Sequence, residues 1–453
     1  MKKNPRRLLA AVLATGTAAA LLAACAPADA ANSDGKITIV VGDRPPADQA
    51  ESLAALDKSI AAFEKAHPDV TIESVETRWA ADTFQAMVAG GTMPTTMAVP
   101  FTEPQSLIAS RQIADISAEL KSTGLGEVLN PAVAAVAQDA SGNSFGVPTD
   151  VYSVGLAYNR ALFTAAGLDP DAPPATWDEV RAAAKKIADT TGKAGYSLYT
   201  SNHFGGWMMT AAVASFGGTI ENADGTASTV DSEPVQDYVN VLREMRWTDN
   251  SLGSSFVNDA QPTLQDFAAG KIGMLLSLPF DYPGLVQQYK MKPEDFGFGA
   301  LPQAPGQSAT LTGGNVQVFS PSATKEQIVA GLEWLKFNRF NAYTDKETAV
   351  AKAEADAADG NIVGLPALSP VSSEAYAQYQ EWISPYVNLP LENFASYSAV
   401  AESQTLVPEP RTKAQDMYAV LDTLLQGVLT TENADVDALI AEASAAVDAK
   451  IAR

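Results

Sequence analysis

An α/β fold, with parallel strands and covering helices, is what the sequence predicts, on three observations. Runs of β character and runs of helical periodicity alternate between Lys36 and Gly91, the pattern of strands joined by crossover helices. Glycine and proline clusters punctuate those runs. The chain of 453 residues is long enough for two or more cores of ordinary domain size.

Residues 1–24 stand outside that fold. Lys2, Lys3, Arg6 and Arg7 precede an apolar run from Leu8 to Ala24, a secretory signal peptide by charge and length. Leu22-Ala23-Ala24-Cys25 resembles a bacterial lipobox, in which the thiol takes a diacylglycerol before cleavage in front of it. Cys25 is therefore the expected lipidation site. Acyl chains would hold the protein at the cell membrane surface without spanning it, outside the cytoplasm. Residues 25–34, small and polar beyond the cysteine, would form the tether. The competing reading is a spanning anchor with an incidental cysteine, for which the run is barely long enough. Cys25 is the only cysteine, so no intrachain disulfide can form. The formal charge of −23 becomes more negative once four basic residues leave with the signal. Such a surface repels phosphate backbones and argues against nucleic acid as a partner.

The elements follow in order. Lys36 to Val41 is β-rich and ends at Gly42-Asp43-Arg44-Pro45-Pro46. Leu53, Leu56, Ile60 and Phe63 make one helical face, stopped at His67-Pro68. Val70 to Val75 is a second strand, and Phe84, Met87 and Val88 mark a helix ending at Gly90-Gly91. Val151 to Tyr158 has strand character, with Tyr152, Val154, Leu156 and Tyr158 on one face. Arg160 to Ala166 fits a short helix with Gly167 at its left-handed terminus. Thr176 and Glu179 form a capping box for a helix carrying Trp177, Val180, Ala184 and Ile187. Helices follow along Val235 to Met245 and along Ile328 to Leu335, and two more, about 412–429 and 433–451, finish the chain.

Several of these segments carry a resemblance. Phe145-Gly-Val-Pro, Leu156-Ala-Tyr-Asn-Arg, Leu162-Phe, Ala166-Gly-Leu and Pro174-Ala-Thr-Trp-Asp-Glu look like the signature of the extracellular solute-binding proteins of family 1. Phe63-Glu-Lys-Ala-His-Pro-Asp-Val and Asp266-Phe-Ala-Ala-Gly-Lys-Ile-Gly-Met-Leu-Leu agree with it. These proteins, similar to the maltose-binding protein, are the substrate-binding subunits of carbohydrate ABC importers. The resemblance runs from about 36 to 451 and is weak around 341–410. It implies the periplasmic-binding-protein type II fold, two α/β lobes with a ligand cleft between them. Lobe 1 would comprise 35–149 and 312–364, and lobe 2 would comprise 150–311 and 365–453, with hinge crossings near 149–152, 310–315 and 363–368. It further implies a monomer that binds a sugar or oligosaccharide, closes by hinge motion and docks on ABC permease subunits, without catalysis, cofactor or metal.

The motifs for other chemistry are missing: no Gly-x-Ser-x-Gly, no His-Glu-x-x-His, no Cys-x-x-Cys and no phosphate loop. The carboxylate pair of a glycosidase could arise by chance among 53 acidic residues, so composition leaves a glycan-processing enzyme open. A neutral sugar needs aromatic faces and planar hydrogen-bonding groups, and candidates sit where the cleft loops should be. Asp43 and Arg44 follow the first strand, where a turn salt bridge competes with ligand contact. Trp79 could rim the cleft or pack on its own helix, and Phe101 and Glu103 follow the third strand. Asp150 and Tyr152 lie in the first crossing; Gly313, Gly314 and Asn315 lie in the second, where the glycines serve either ligand approach or the hinge. Trp207 follows Gly205-Gly206, which argue for an open loop around it, and Phe280, Asp281 and Tyr282 follow the Gly-Met-Leu-Leu strand. His67 reads as solvated, His203 as either a ligand contact or a packed loop residue, and Glu409 and Arg411 as weaker candidates. Four candidate carboxylates, Asp43, Glu103, Asp150 and Asp281, leave a polyamine open as ligand; a glycerol phosphate would have only Arg44 and Arg411.

Overall fold

A computed structural model describes residues 35–401 and 403–452. The signal peptide, Cys25 and the tether lie outside the described residues.

The local signals form the elements they specify. Thr176 and Glu179 make the capping box of the helix Trp177–Thr191, and Gly91 closes the helix Ala81–Gly90 in the left-handed conformation. In the first sheet, β1 (Ile37–Val41) pairs in parallel with β2 (Val70–Ser74) and with β3 (Thr96–Pro100). Beside β3 runs β8 (Ala309–Phe319), antiparallel, and beside β8 runs β4 (Gly146–Ser153), also antiparallel. A short strand, β9 (Thr405–Pro408), extends the far end of β8. The order is β2-β1-β3-β8-β4. A second sheet sets β5 (Gly155–Asn159) between β6 (Met274–Ser277) and β7 (Phe296–Ala300), all antiparallel.

Each sheet has its own core. Met97, Val99, Phe101, Val151 and Val316 belong to one on the first lobe; Val154, Leu156, Trp177, Tyr238 and Phe296 belong to a larger one on the second. Val151 and Val154 thus fall on opposite sides of a boundary. The expected single strand Val151–Tyr158 is in fact two strands in two sheets, broken at Val154, whose N–H donates to Leu311 O at 3.2 Å. Every residue from Ser153 to Asn159 is buried, so burial continues unbroken through the switch and periodicity alone does not reveal it.

The late chain differs from expectation. Leu368 packs with the first-lobe core and Val371 with its neighbour around Phe319 and Leu332, while Tyr376 and Tyr379 lie against Tyr343. Leu365 packs against the second core, but the segment 368–383 stays on the first lobe, held by aromatic contacts to 343, and the second core is rejoined around Leu389 and Phe394.

Candidate functional site

β4 and β8 carry the chain between the lobes, and Tyr152 stands where they do so. Its strand partner is Gly313. A Cβ on Gly313 would lie 2.1 Å from the Tyr152 hydroxyl, so the glycine is required by the ring that covers it. Gly314, at φ 147°, leaves room for the Asp150 carbonyl, which a Cβ would meet at 1.8 Å, where the ladder slips between Pro148 and Asp150.

Lying over Gly313, the Tyr152 ring donates its hydroxyl to Glu409 Oε1 at 2.6 Å, just beyond β9. Burial pushes the Glu409 carboxyl above the ordinary range, and the Tyr152 bond partly offsets that. Trp207 meets Tyr152 edge-on, with ring centroids 5.7 Å apart, and Phe204 lies 6.1 Å from Trp207. The Trp207 indole N–H lies near the Tyr152 and Glu409 oxygens but makes a hydrogen bond of good geometry to neither.

Trp207 is placed by the helix Phe204–Ser215, which begins after two consecutive left-handed residues, Asn202 and His203. Asp422 holds that strained start, accepting from His203 N at 2.7 Å and Gly206 N at 2.8 Å. Gly205 and Gly206 are contact glycines, not an open loop: a Cβ on Gly206 would lie 2.2 Å from Tyr418 O. His203 is exposed at the mouth of the hollow that Tyr152 and Trp207 line, its Nδ1 3.1 Å from Gln415 Oε1.

Three hollows meet at Glu409, one of them, of about 230 Å³, walled by Thr210, Glu221 and Arg411. A second, of about 310 Å³, includes Tyr152, Phe204, Trp207 and Tyr418 in its walls. Another, of about 180 Å³, includes Phe101, Gln105, Val133 and Arg411, so first-lobe and second-lobe side chains face each other across it. A larger hollow of about 490 Å³ around Lys193, Asn258 and Lys271 contains no hinge residue and no aromatic ring, which makes it a poor sugar site.

Comparison with known sequences matches residues 46–339 to the bacterial extracellular solute-binding protein family. The chain belongs to that family. Similar to it is the sn-glycerol-3-phosphate-binding periplasmic protein UgpB of Pectobacterium atrosepticum, 26% identical over 259 residues, which are 53% of this chain and 55% of that protein. The chain thus matches little more than half the length of its curated relatives. Among solved structures, the cyclic alpha-maltosyl-1,6-maltose binding protein of Arthrobacter globiformis superposes with a TM-score of 0.67 at 20% identity, over 92% of this chain and 99% of that one. UgpB of Mycobacterium tuberculosis, in complex with glycerophosphocholine, gives 0.66 at 16%, over 92% and 99%. These likenesses establish the solute-binding fold, the two-lobed periplasmic-binding-protein type II.

Within this solute-binding fold the sequence candidates separate. Tyr152, Trp207 and Phe101 converge around Glu409, which sequence reasoning ranked low. Asp43, left-handed at φ 63°, accepts from Ala98 N at 2.7 Å and feels the charges of Arg78 and Arg339. Arg339 reaches Asp150 at 3.7 Å, so Asp43, Asp150 and the β8 residue Asn315 share one polar wall with two arginines that the sequence had not suggested. Glu103 accepts from Thr102, and burial raises its carboxyl. Phe280 is 51% exposed on the second lobe. Asp281 beside it accepts from the Ser277 hydroxyl at 2.5 Å.

Three candidates lie elsewhere. Arg44 forms the competing turn salt bridge, with Asp57 at 2.8 Å. Trp79 packs on its own helix, 4.6 Å from Phe84. Tyr282 is fully buried against Phe296 and Phe394 and presents no surface to a ligand. Even His67, expected in solvent, stacks on Phe63 at 4.3 Å.

Proposed function

We propose that this protein is the substrate-binding subunit of an ABC importer, capturing a sugar or oligosaccharide outside the cytoplasmic membrane and passing it to the permease on hinge closure. The observation that carries this reading is the meeting of Tyr152, on an interlobe strand, with Trp207 and Glu409: two aromatic rings and a carboxylate are what a pyranose ring and its hydroxyls require. Phe280, on the second lobe, would add a further stacking face. The protein works as a lipid-anchored monomer held through Cys25, and it binds without catalysis. Among the described residues no helix is long and apolar enough to cross a membrane.

A second reading, a glycerol-phosphate binder, draws on Arg78 and Arg339 beside Asp43. Phosphate favours paired guanidinium groups, but these two face Asp43 and Asp150, so the wall holds little net positive charge. A thermal-shift screen across mono- and oligosaccharides and sn-glycerol 3-phosphate tests both readings, because a ligand that binds only the folded state raises its melting temperature by mass action. Stabilisation by a saccharide is expected; stabilisation by sn-glycerol 3-phosphate alone would replace the first reading with the second.

A further inference from the structure

Three buried polar atoms near the segment 407–411 lack hydrogen-bond partners: Trp207 Nε1, Tyr418 Oη and Glu221 Oε2. Buried polar groups are normally paired, and a cluster that is not paired invites a ligand or a water. Glu221 is tied to the segment itself, its other oxygen accepting from Arg411 N. Trp207 and Tyr418 are different, because both line the hollow that Glu409 also lines. Tyr418 is 1% exposed, and its hydroxyl lies within the electrostatic reach of Glu409 and Tyr152.

The bonding capacity of this trio is specific. Glu409 Oε1 is taken by the Tyr152 hydroxyl, and no hydrogen bond from a described residue reaches Oε2, which accepts only. The Trp207 N–H donates only, and the Tyr418 hydroxyl can do either. A ligand group that fits must therefore donate to a carboxylate and accept from an indole within the same hollow. A hydroxyl does both. An ammonium cannot accept, and a phosphate dianion has no proton for Glu409 and repels its charge.

Building on the proposed sugar-binding function, we infer that Glu409, Trp207 and Tyr418 read one uncharged hydroxyl of the ligand, and that Glu409 turns phosphate-bearing ligands away. Glu409 then sets the ligand class of this protein, favouring an uncharged hydroxyl over a phosphate. A site built to bond a hydroxyl discriminates strongly, because its own groups are left unpaired by the wrong ligand.

The test is isothermal titration of the purified protein with maltose, maltotriose, trehalose and cellobiose as neutral probes, and sn-glycerol 3-phosphate and glucose 6-phosphate as anionic ones. The unaltered protein is expected to bind a neutral probe and neither anion. Glu409→Gln should weaken the neutral probe by about tenfold or more and narrow its advantage over the anions. Trp207→Phe keeps a ring and removes the N–H; it should weaken the neutral probe while leaving anions excluded. It also serves if Glu409→Gln fails to fold. A neutral probe that binds Glu409→Gln and Trp207→Phe as well as the unaltered protein overturns this inference and leaves the sugar-binding reading standing. An anion bound more tightly than every neutral probe, or no binding of any neutral probe, overturns both.

Discussion

Replacing Gly313 by alanine separates two explanations of why a glycine stands on the interlobe strand. If the hinge needs backbone freedom there, alanine costs the same whatever lies opposite. The structure gives another reason: the three atoms nearest an added Cβ all belong to Tyr152, at 2.1, 2.4 and 3.0 Å. The alanine methyl would displace the ring, breaking its bond to Glu409 and its contact with Trp207. A hydrogen bond to a charged group contributes about 1.5–3 kcal/mol, and an edge-on aromatic pair about 0.5–1.5 kcal/mol. Gly313→Ala should therefore destabilise the protein by about 2–4 kcal/mol. In a Tyr152→Ala background the methyl meets no ring, and Gly313 is not in the left-handed region. The same change should then be neutral, or stabilising by up to about 1 kcal/mol through the unfolded state. Urea denaturation of the four proteins forms a double-mutant cycle. Equal costs of Gly313→Ala in the two backgrounds would refute the steric account and restore the hinge explanation.

Three further outcomes are expected. Trp207→Ala and Phe280→Ala should each lower affinity for a bound saccharide, Trp207→Ala by roughly 10–100-fold if it is a central anchor, as read by isothermal titration of the folded variants. Asp422→Ala removes an acceptor from two N–H groups at the start of the Trp207 helix; it should cost about 1–3 kcal/mol and weaken ligand binding as well, seen in denaturation and titration together. Burial raises Asp281, Glu221, Glu409 and Asp422 above their ordinary values in the folded state. For a carboxyl shifted upward the folded state holds more protons, so stability falls as pH rises from the ordinary value toward the folded one. Asp281→Asn should flatten part of that fall, measured by denaturation between pH 4 and pH 7; an unchanged slope would show that Asp281 does not contribute.

The sequence made local features legible and long-range ones not. The Thr176 capping box and the Gly91 terminus depend on neighbours within a few residues, so their chemistry is visible in the chain. Tyr152 and Trp207 could be singled out because each is a ring beside a predicted crossing or turn. Glu409 stood only as a weaker candidate, because its partner Tyr152 is 257 positions away and the resemblance is weak along 341–410. Arg78 and Arg339 were invisible for the same reason: only the fold sets both against Asp43. Gly205 and Gly206 show the opposite failure. Their composition suggests a loop, but helix-to-helix contact with Tyr418 also requires the smallest side chain.

The position of β8 has a consequence for how the chain acquires its structure. β3 and β4 are made early, yet they do not touch, because β8 fills the space between them. As the polypeptide emerges amino terminus first, the first sheet therefore stays split, with open edges on both strands, until residue 319 has appeared. β5, β6 and β7 are complete by residue 300 and can pair before that. The lobe encoded first is thus the one whose sheet closes later. Until it does, two unpaired strand edges are exposed to other chains, and the interval before β8 arrives is when the nascent protein is most prone to aggregate.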